Sequence, residues 1–100
     1  MTEAELLATV RDACRWSGLL TFHAFDSRRS EAGPDLCVCG PSGVLFRELK
    51  SSTGRLSPDQ VRWLDRLNAA VWYPHDWPHR VLDELASIGG RLPTRSEATA

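Results

Sequence analysis

The sequence predicts a small α/β protein in which helices pack on a mixed β-sheet. The chain of 100 residues is long enough for one domain and too short for two. Its 42% hydrophobic and 25% charged residues are ordinary for a globular protein. Local patterns follow one another in the order helix, three strands, helix, strand, helix, which is typical of a sheet flanked by helices. We expect residues 1–90 to form the domain and residues 91–100 to form a loose C-terminal tail.

The first predicted helix spans residues 2–16. Thr2 can cap its N-terminus, and two acids follow in the first turn, where the helix dipole favours negative charge. At about 100° per residue, one apolar face collects Leu6, Leu7, Val10 and Cys14. Glu3 falls on that face and Glu5 does not. We therefore expect Glu3 to be the acid that this helix presents toward the sheet.

Three strands are predicted next, the last two joined by a tight turn. They are Leu19–Phe25, Asp35–Cys39 and Val44–Lys50, with the turn at Gly40–Gly43. The turn predicts the hairpin register, which pairs Cys39 with Val44, Cys37 with Phe46, and Asp35 with Glu48. In this arrangement Cys37 and Cys39 take inward positions, where we expect free thiols that fill the core.

The second half of the chain is predicted to hold two helices around a short strand. Ser57 caps the first of these helices, with Pro58 at its first position and Gln60 three residues after the cap, which is a capping-box pattern. We expect this helix to run to about Ala70, with one face formed by Val61, Leu64 and Leu67. The strand Val71–Tyr73 and the helix Pro78–Ile88 follow, and we expect Trp63 and Trp72 to serve packing.

The predicted hairpin brings charged side chains together. Asp35 lies opposite Glu48, and Lys50 shares the face of Glu48 because residues two apart on a strand point to the same side. Two carboxylates directly opposite each other repel, and a divalent cation such as Mg²⁺ or Mn²⁺ between them would remove the repulsion. The alternative is a surface ion pair in which Lys50 neutralises both acids, worth about 0–1 kcal/mol.

Several separate segments resemble one nuclease family. Gly33-Pro34-Asp35 followed by Glu48-Leu49-Lys50 resembles the PD-(D/E)XK signature. More closely, DSRRSEAGPDL, FRELKSSTGRLSPDQ and VWYPHDW resemble a stand-alone VRR-NUC domain, the virus-type replication and repair nuclease of phages and bacteria. The resemblance covers roughly residues 3–77. One departure is that the family has a glycine between the second helix and the last strand, where this chain has Asn68-Ala69-Ala70.

This resemblance implies a restriction-endonuclease-like core and metal-dependent hydrolysis of phosphodiester bonds in DNA, in replication, repair or recombination. The matching positions imply Asp35, Glu48 and the backbone carbonyl of Leu49 as ligands of Mg²⁺ or Mn²⁺. Lys50 would orient the attacking water or stabilise the developing charge. Glu3 matches the first-helix glutamate and is a candidate further ligand, with Glu5 as the alternative.

The resemblance also bears on residues around the predicted site. Gln60 matches the glutamine that follows the core motif, although the capping box competes for its side chain, and we expect that it cannot fully serve both roles. Arg28 and Arg29 are expected to grip DNA phosphates, since guanidinium groups match phosphate geometry. His23, on the strand that leads to these arginines, is a further candidate for DNA contact.

Charge and composition limit the choice of partners and location. The formal net charge of −1 argues against a protein that binds nucleic acid by general electrostatic attraction alone. We expect no membrane span and a cytoplasmic location in a bacterial or phage-infected cell. Expected partners are DNA, in a branched, flap or junction form, a second copy of the chain, and a replication or repair protein. The alternative functions are a DNA- or protein-binding module that does not cleave and a plain structural protein.

Overall fold

The computed structural model describes residues 1–23 and 33–91 and confirms an α/β fold. Four strands form one mixed sheet, accompanied by three α-helices and one short 3₁₀ turn. In chain order the elements are α1 (Glu3–Trp16), β1 (Leu20–His23), β2 (Leu36–Gly40), β3 (Gly43–Leu49), α2 (Pro58–Arg66), β4 (Ala70–Trp72), the 3₁₀ turn (Pro74–Asp76) and α3 (His79–Ser87). No helix among the described residues is long and apolar enough to cross a membrane.

The strands lie in the order β1-β2-β3-β4. The first three form an antiparallel meander, and β4 lies parallel to β3. The predicted hairpin register is confirmed, because Cys39 pairs with Val44 and Cys37 with Phe46. The ladder ends at the pair Leu36–Arg47, one pair short of the predicted Asp35–Glu48 pairing.

The core lies on one face of the sheet, beneath α1 and α3. Strand alternation directs Leu36, Val38, Leu49 and Trp72 to this face, and all four are buried. They pack with Leu6, Val10 and Cys14 of α1 and with Val81, Leu82 and Leu85 of α3. The prediction for α1 is confirmed except at Leu7, which is only half-buried.

The prediction that Cys37 and Cys39 fill the core is wrong. Both lie on the opposite face of the sheet, where Cys37 is half-buried and Cys39 is exposed. The register was right, but period-two alternation does not say which of two mixed faces is covered more fully. Cys14 is the cysteine that enters the core, and all three thiols are free as expected.

The prediction for α2 is wrong at its C-terminus. The helix ends at Arg66, because Leu67 caps it and Asn68 adopts a left-handed backbone with φ of 51°. Of the predicted apolar face only Leu64 is buried, while Val61 is 51% exposed and Leu67 is 36% exposed. The helix therefore covers a narrow part of the sheet.

Arg47 is the one charged side chain that β3 directs to the core face. Its guanidinium lies 2.7 Å from Glu84 Oε1 of α3 and 5.4 Å from the ring centre of Trp72. Trp72 Nε1 donates to the same Glu84 oxygen at 3.1 Å, and Arg80 Nε donates to Glu84 Oε2 at 2.8 Å. These contacts tie β3, β4 and α3 together.

The left-handed turn at Asn68 allows a stability test. Changing Asn68 to Ala should lower the free energy of unfolding by about 1–2 kcal/mol, because a Cβ without a compensating polar group disfavours positive φ. Changing Asn68 to Gly should be neutral or stabilising. Urea unfolding followed by circular dichroism measures both. As a control, Ala69→Gly should destabilise, and an Asn68→Ala variant as stable as the wild type would contradict the argument.

Candidate active site

Two carboxylates meet where the β2–β3 ladder stops. Glu48 lies in β3 on the face toward α2 and is only 5% exposed. Asp35 directly precedes β2, and its Oδ1 accepts a hydrogen bond from the Leu49 N–H at 3.1 Å. The Lys50 N–H bonds to Trp72 on the β4 side, so the Leu49 N–H points toward β2, where the Asp35 side chain receives it. This is why Asp35 stands beside Glu48 without being its ladder partner.

The electrostatic environment of the pair is unfavourable to two negative charges. Burial and the charge of Asp35 raise the pKa of Glu48 to about 7, against the opposing effect of Lys50. Burial also raises the pKa of Asp35, although the Leu49 N–H and the charge of His23 act to lower it. The pair therefore carries less compensating positive charge than two ionised carboxylates require.

Lys50 contacts Glu48 but does not neutralise the pair. Its Nζ lies 3.7 Å from Glu48 Oε1, and its side chain is 18% exposed. A lysine that balanced both acids in an ordinary ion pair would hold their pKa values low, whereas both pKa values are raised. The predicted proximity of Glu48 and Lys50 is present, and the simple ion-pair interpretation does not account for the electrostatics.

Gln60 serves both roles that appeared to compete, so the expectation that it could not is wrong. Its Oε1 accepts from the Ser57 N–H at 2.9 Å, and Ser57 Oγ accepts from the Gln60 N–H at 3.1 Å, which completes the capping box. Its Nε2 donates to Glu48 Oε1 at 3.2 Å. An amide carries an acceptor and a donor at its two ends, so the cap orients the group that binds Glu48.

The two candidate acids of α1 have different environments. Glu5 accepts from the Thr2 N–H at 3.0 Å in the capping box of α1, so its carboxylate is engaged there. Glu3 is exposed at the start of the helix, and its charge acts on both Asp35 and Glu48 to raise their pKa values. Within residues 1–23 and 33–91 no three His, Cys, Asp or Glu side chains lie close enough together to hold a metal ion.

The donor set nevertheless fits a hard divalent cation. Asp35 and Glu48 supply carboxylate oxygens, the kind that Mg²⁺ and Mn²⁺ prefer, and Mg²⁺ in particular binds through one or two carboxylates with water completing its shell. Burial raises the pKa of both acids, and the charge of Asp35 adds to this effect at Glu48, so a bound cation would favour their ionised forms. The carbonyl of Leu49, the third predicted ligand, belongs to the residue that follows Glu48 in β3.

The predicted DNA-contacting residues fall into two groups. His23 ends β1 beside Leu36, and its charge acts on Asp35, so it borders the carboxylate pair. Arg28 and Arg29 lie outside the described residues. The Asp76 of the VWYPHDW segment has a structural role, because its Oδ2 accepts from the Tyr73 N–H at 2.8 Å and its Oδ1 contacts Arg80 at 3.3 Å.

We expected Trp63 to serve packing, and this expectation missed its exposed surface near the site. It is 44% exposed, unlike the fully buried Trp72, so packing explains only part of its surface. A signal was present in the sequence, since Trp63 follows Gln60 by three residues and shares its side of α2.

Comparison with protein-family models, with characterised proteins and with solved structures finds no match for this chain. The resemblance to VRR-NUC nucleases therefore stays an expectation from the motifs, and the functional argument rests on the site itself.

The raised pKa of Glu48 predicts a pH-dependent cost in the metal-free protein. Between the ordinary value of 4.5 and about 7, native Glu48 holds a proton that the unfolded chain has lost. Its contribution to stability therefore falls as pH rises through this window. Changing Glu48 to Gln removes this cost. The difference in free energy of unfolding between the variant and the wild type should therefore shift in favour of the variant by on the order of 2–3 kcal/mol from pH 4 to pH 8.

Urea unfolding at both pH values with a chelator present measures this difference. Glu84→Gln is the matched control with the opposite sign. Burial acts to raise the pKa of Glu84, but its hydrogen bond and ion pair with Arg47 outweigh burial and lower it. Glu84 therefore stabilises above its unfolded pKa, and its replacement should cost more at pH 8 than at pH 4. A Glu48→Gln difference that is independent of pH would contradict the assignment.

Proposed function

We propose that the protein is a divalent-metal-dependent endonuclease that hydrolyses phosphodiester bonds in DNA, built on a PD-(D/E)XK core of the VRR-NUC type. The observation that carries the proposal is the pair Asp35 and Glu48, two carboxylates held together with raised pKa values beside a lysine. Such a pair is unfavourable for stability and useful for holding a cation. The segments DSRRSEAGPDL, FRELKSSTGRLSPDQ and VWYPHDW, which resemble the family, support the same interpretation.

The residues would divide the work as follows. Asp35 and Glu48 would hold Mg²⁺ or Mn²⁺, which when bound supplies charge screening at the phosphate and a more acidic water. The Leu49 N–H fixes the orientation of Asp35, and the Gln60 amide fixes that of Glu48. Lys50 Nζ, a mobile donor near Glu48, would orient the water or offset negative charge that develops on the phosphate.

The proposed substrate is branched, flap or junction DNA, as the resemblance implies, with His23 and the arginines 28 and 29 as candidate phosphate contacts. The proposed setting is replication, repair or recombination in a bacterial or phage-infected cell. A module that binds DNA or a protein without cleaving is the alternative, and the carboxylate pair argues against it, because binding alone does not require two acids that repel each other.

Cleavage of labelled flap, four-way junction and single-stranded DNA tests the proposal. With Mg²⁺ or Mn²⁺ the wild type should cut at least one of these substrates. Asp35→Asn, Glu48→Gln and Lys50→Ala should each lower the rate by at least about 100-fold, because each removes a group that acts on the reacting charge. Matched controls are Asp12→Asn and Arg15→Ala, whose side chains are 67% and 77% exposed on α1 and should leave the rate unchanged.

Thermal unfolding with added metal separates the alternatives. Mg²⁺ or Mn²⁺ should raise the melting temperature of the wild type and not that of Asp35→Asn, because a ligand that binds the native state alone stabilises it. Stabilisation by metal without any cleavage would favour the binding module. No stabilisation and no cleavage would leave the plain structural protein.

We also propose that the chain forms a homodimer through the open part of its sheet. The side of the sheet opposite the core carries a set of uncharged side chains, which we call the outer apolar face: Leu20, Phe22, Cys37, Cys39, Val44 and Phe46. Leu20 is 72% exposed, Phe22 is 71% exposed and Val44 is 48% exposed. Contiguous apolar surface of this kind marks an interaction site.

A second copy is the partner that fits this face. None of its six side chains is charged, so no like charges would oppose each other when two copies meet across a two-fold axis. The formal net charge of −1 offers little repulsion between copies.

Sedimentation velocity over a range of protein concentrations tests the dimer. Phe22→Lys should raise the dimer dissociation constant by at least about 30-fold, because it places a charge within the apolar face. Trp16→Lys is the control, since Trp16 is 86% exposed on α1 and lies away from this face. A wild type that stays monomeric at the highest concentration, or a Phe22→Lys variant that dimerises equally well, would refute this assembly.

A further inference from the structure

An exposed indole stands beside the candidate carboxylate site. Trp63 lies one helical turn after Gln60 in α2, and residues three apart are neighbours on a helix surface. The Gln60 amide reaches Glu48 at 3.2 Å, so this side of α2 faces the carboxylate pair. Trp63 is therefore connected to the site through the helix that orients Glu48.

The indole is also connected to the other half of the site. Its Cδ2 and Cε3 atoms lie 3.9 Å from the position that a Cβ on Gly33 would occupy, so the six-membered ring lies close to the Gly33 backbone. Gly33 is two residues before Asp35. Trp63 thus lies near the segment that carries Asp35 and belongs to the helix whose Gln60 binds Glu48.

Packing does not account for the whole side chain. The residue that α2 buries is Leu64, which is 7% exposed, whereas Trp63 keeps 44% of its surface in solvent. A large, half-exposed aromatic surface beside charged groups is the arrangement that proteins use to stack on nucleobases.

We infer that Trp63 is a stacking platform for an unpaired nucleobase next to the phosphate at which the Asp35–Glu48 pair acts. This inference rests on the proposed nuclease function and adds a substrate preference to it. A base inside a duplex already stacks on both sides, whereas a base in a single strand, a flap or a branch point has a free face. Every base has such a face, so the platform selects unpaired nucleotides without selecting a sequence.

Fluorescence anisotropy with labelled oligonucleotides tests the platform. Asp35→Asn is introduced into each protein so that binding is measured without cleavage. In that background Trp63→Ala should weaken binding of a single strand and of a flap by about 5- to 150-fold and leave binding of a blunt hairpin duplex within about two-fold. Trp63→Phe keeps an aromatic face and should lose much less. Trp16→Ala is the control, an exposed tryptophan on α1 whose loss should change nothing.

An abasic scan makes the test specific. A single abasic nucleotide is moved stepwise along the flap, and binding is measured for the proteins with and without Trp63. At one position the missing base should weaken binding by the protein with Trp63 and cause no further loss in Trp63→Ala, because the two changes remove the same contact. Circular dichroism establishes that each variant is folded, and Trp63→Phe keeps the test valid if Trp63→Ala is not.

The outcomes distinguish a failure of the stacking platform from a failure of the proposed nuclease function. Equal binding by Trp63→Ala and its parent, or equal losses on single strand and duplex, would overturn the platform while the cleavage assay decides the nuclease proposal independently. An abasic scan in which no position removes the difference between the proteins would overturn it as well. If the wild type neither binds nor cuts any of these oligonucleotides, both proposals fail.

Discussion

The proximity of Asp35 to Glu48, whose pKa it raises, is the constraint on which the candidate site depends. Two acids stay together at the end of the hairpin because other groups hold them there. The Leu49 N–H binds Asp35, the Gln60 amide binds Glu48, and Lys50 offsets part of the charge. Gln60 is in turn oriented by the cap of α2. The cap of α2 and the end of the β2–β3 ladder are thus joined at the site by the same few contacts.

The neighbouring residue in β3 shows what a satisfied buried charge looks like in this protein. Arg47 and Glu48 are adjacent, so they project to opposite faces of the sheet. On the core face, Glu84 receives hydrogen bonds from Arg47, Trp72 and Arg80, and its pKa is lowered although burial acts to raise it. On the other face, burial and Asp35 raise the pKa of Glu48. The chain can therefore stabilise the charge of a partly buried glutamate with cationic and N–H donors. The donors around Glu48 do not achieve this, and this contrast is the reason for proposing a function at that site.

Local sequence signals predicted much of this fold. The predictions that were wrong concern features that depend on tertiary packing. The Gly40–Gly43 turn set the hairpin register, and the cap patterns at Thr2 and Ser57 predicted the starts of α1 and α2. Those features depend on a few adjacent residues. The end of α2 depended on Asn68, which takes the left-handed position that glycine usually fills, and propensity alone does not reveal that choice. The positions of Cys37 and Cys39 depended on which face α1 and α3 cover, and alternation in one strand does not contain that information. Predicting the double role of Gln60 requires the distance between its amide and Glu48, and that distance is known only from the folded chain.

The unequal covering of the sheet connects the size of the protein with the position of the site. A chain of 100 residues buries one face under α1 and α3, and its remaining helix α2 is short and touches the other face narrowly. That face is consequently divided. Its end near α2 holds Glu48, Gln60 and the half-exposed Trp63, while its far end presents Leu20 and Phe22 to solvent. The proposed ligand site and the proposed interface with a second copy therefore use different residues of this face, and α2 lies at the end that holds the carboxylates.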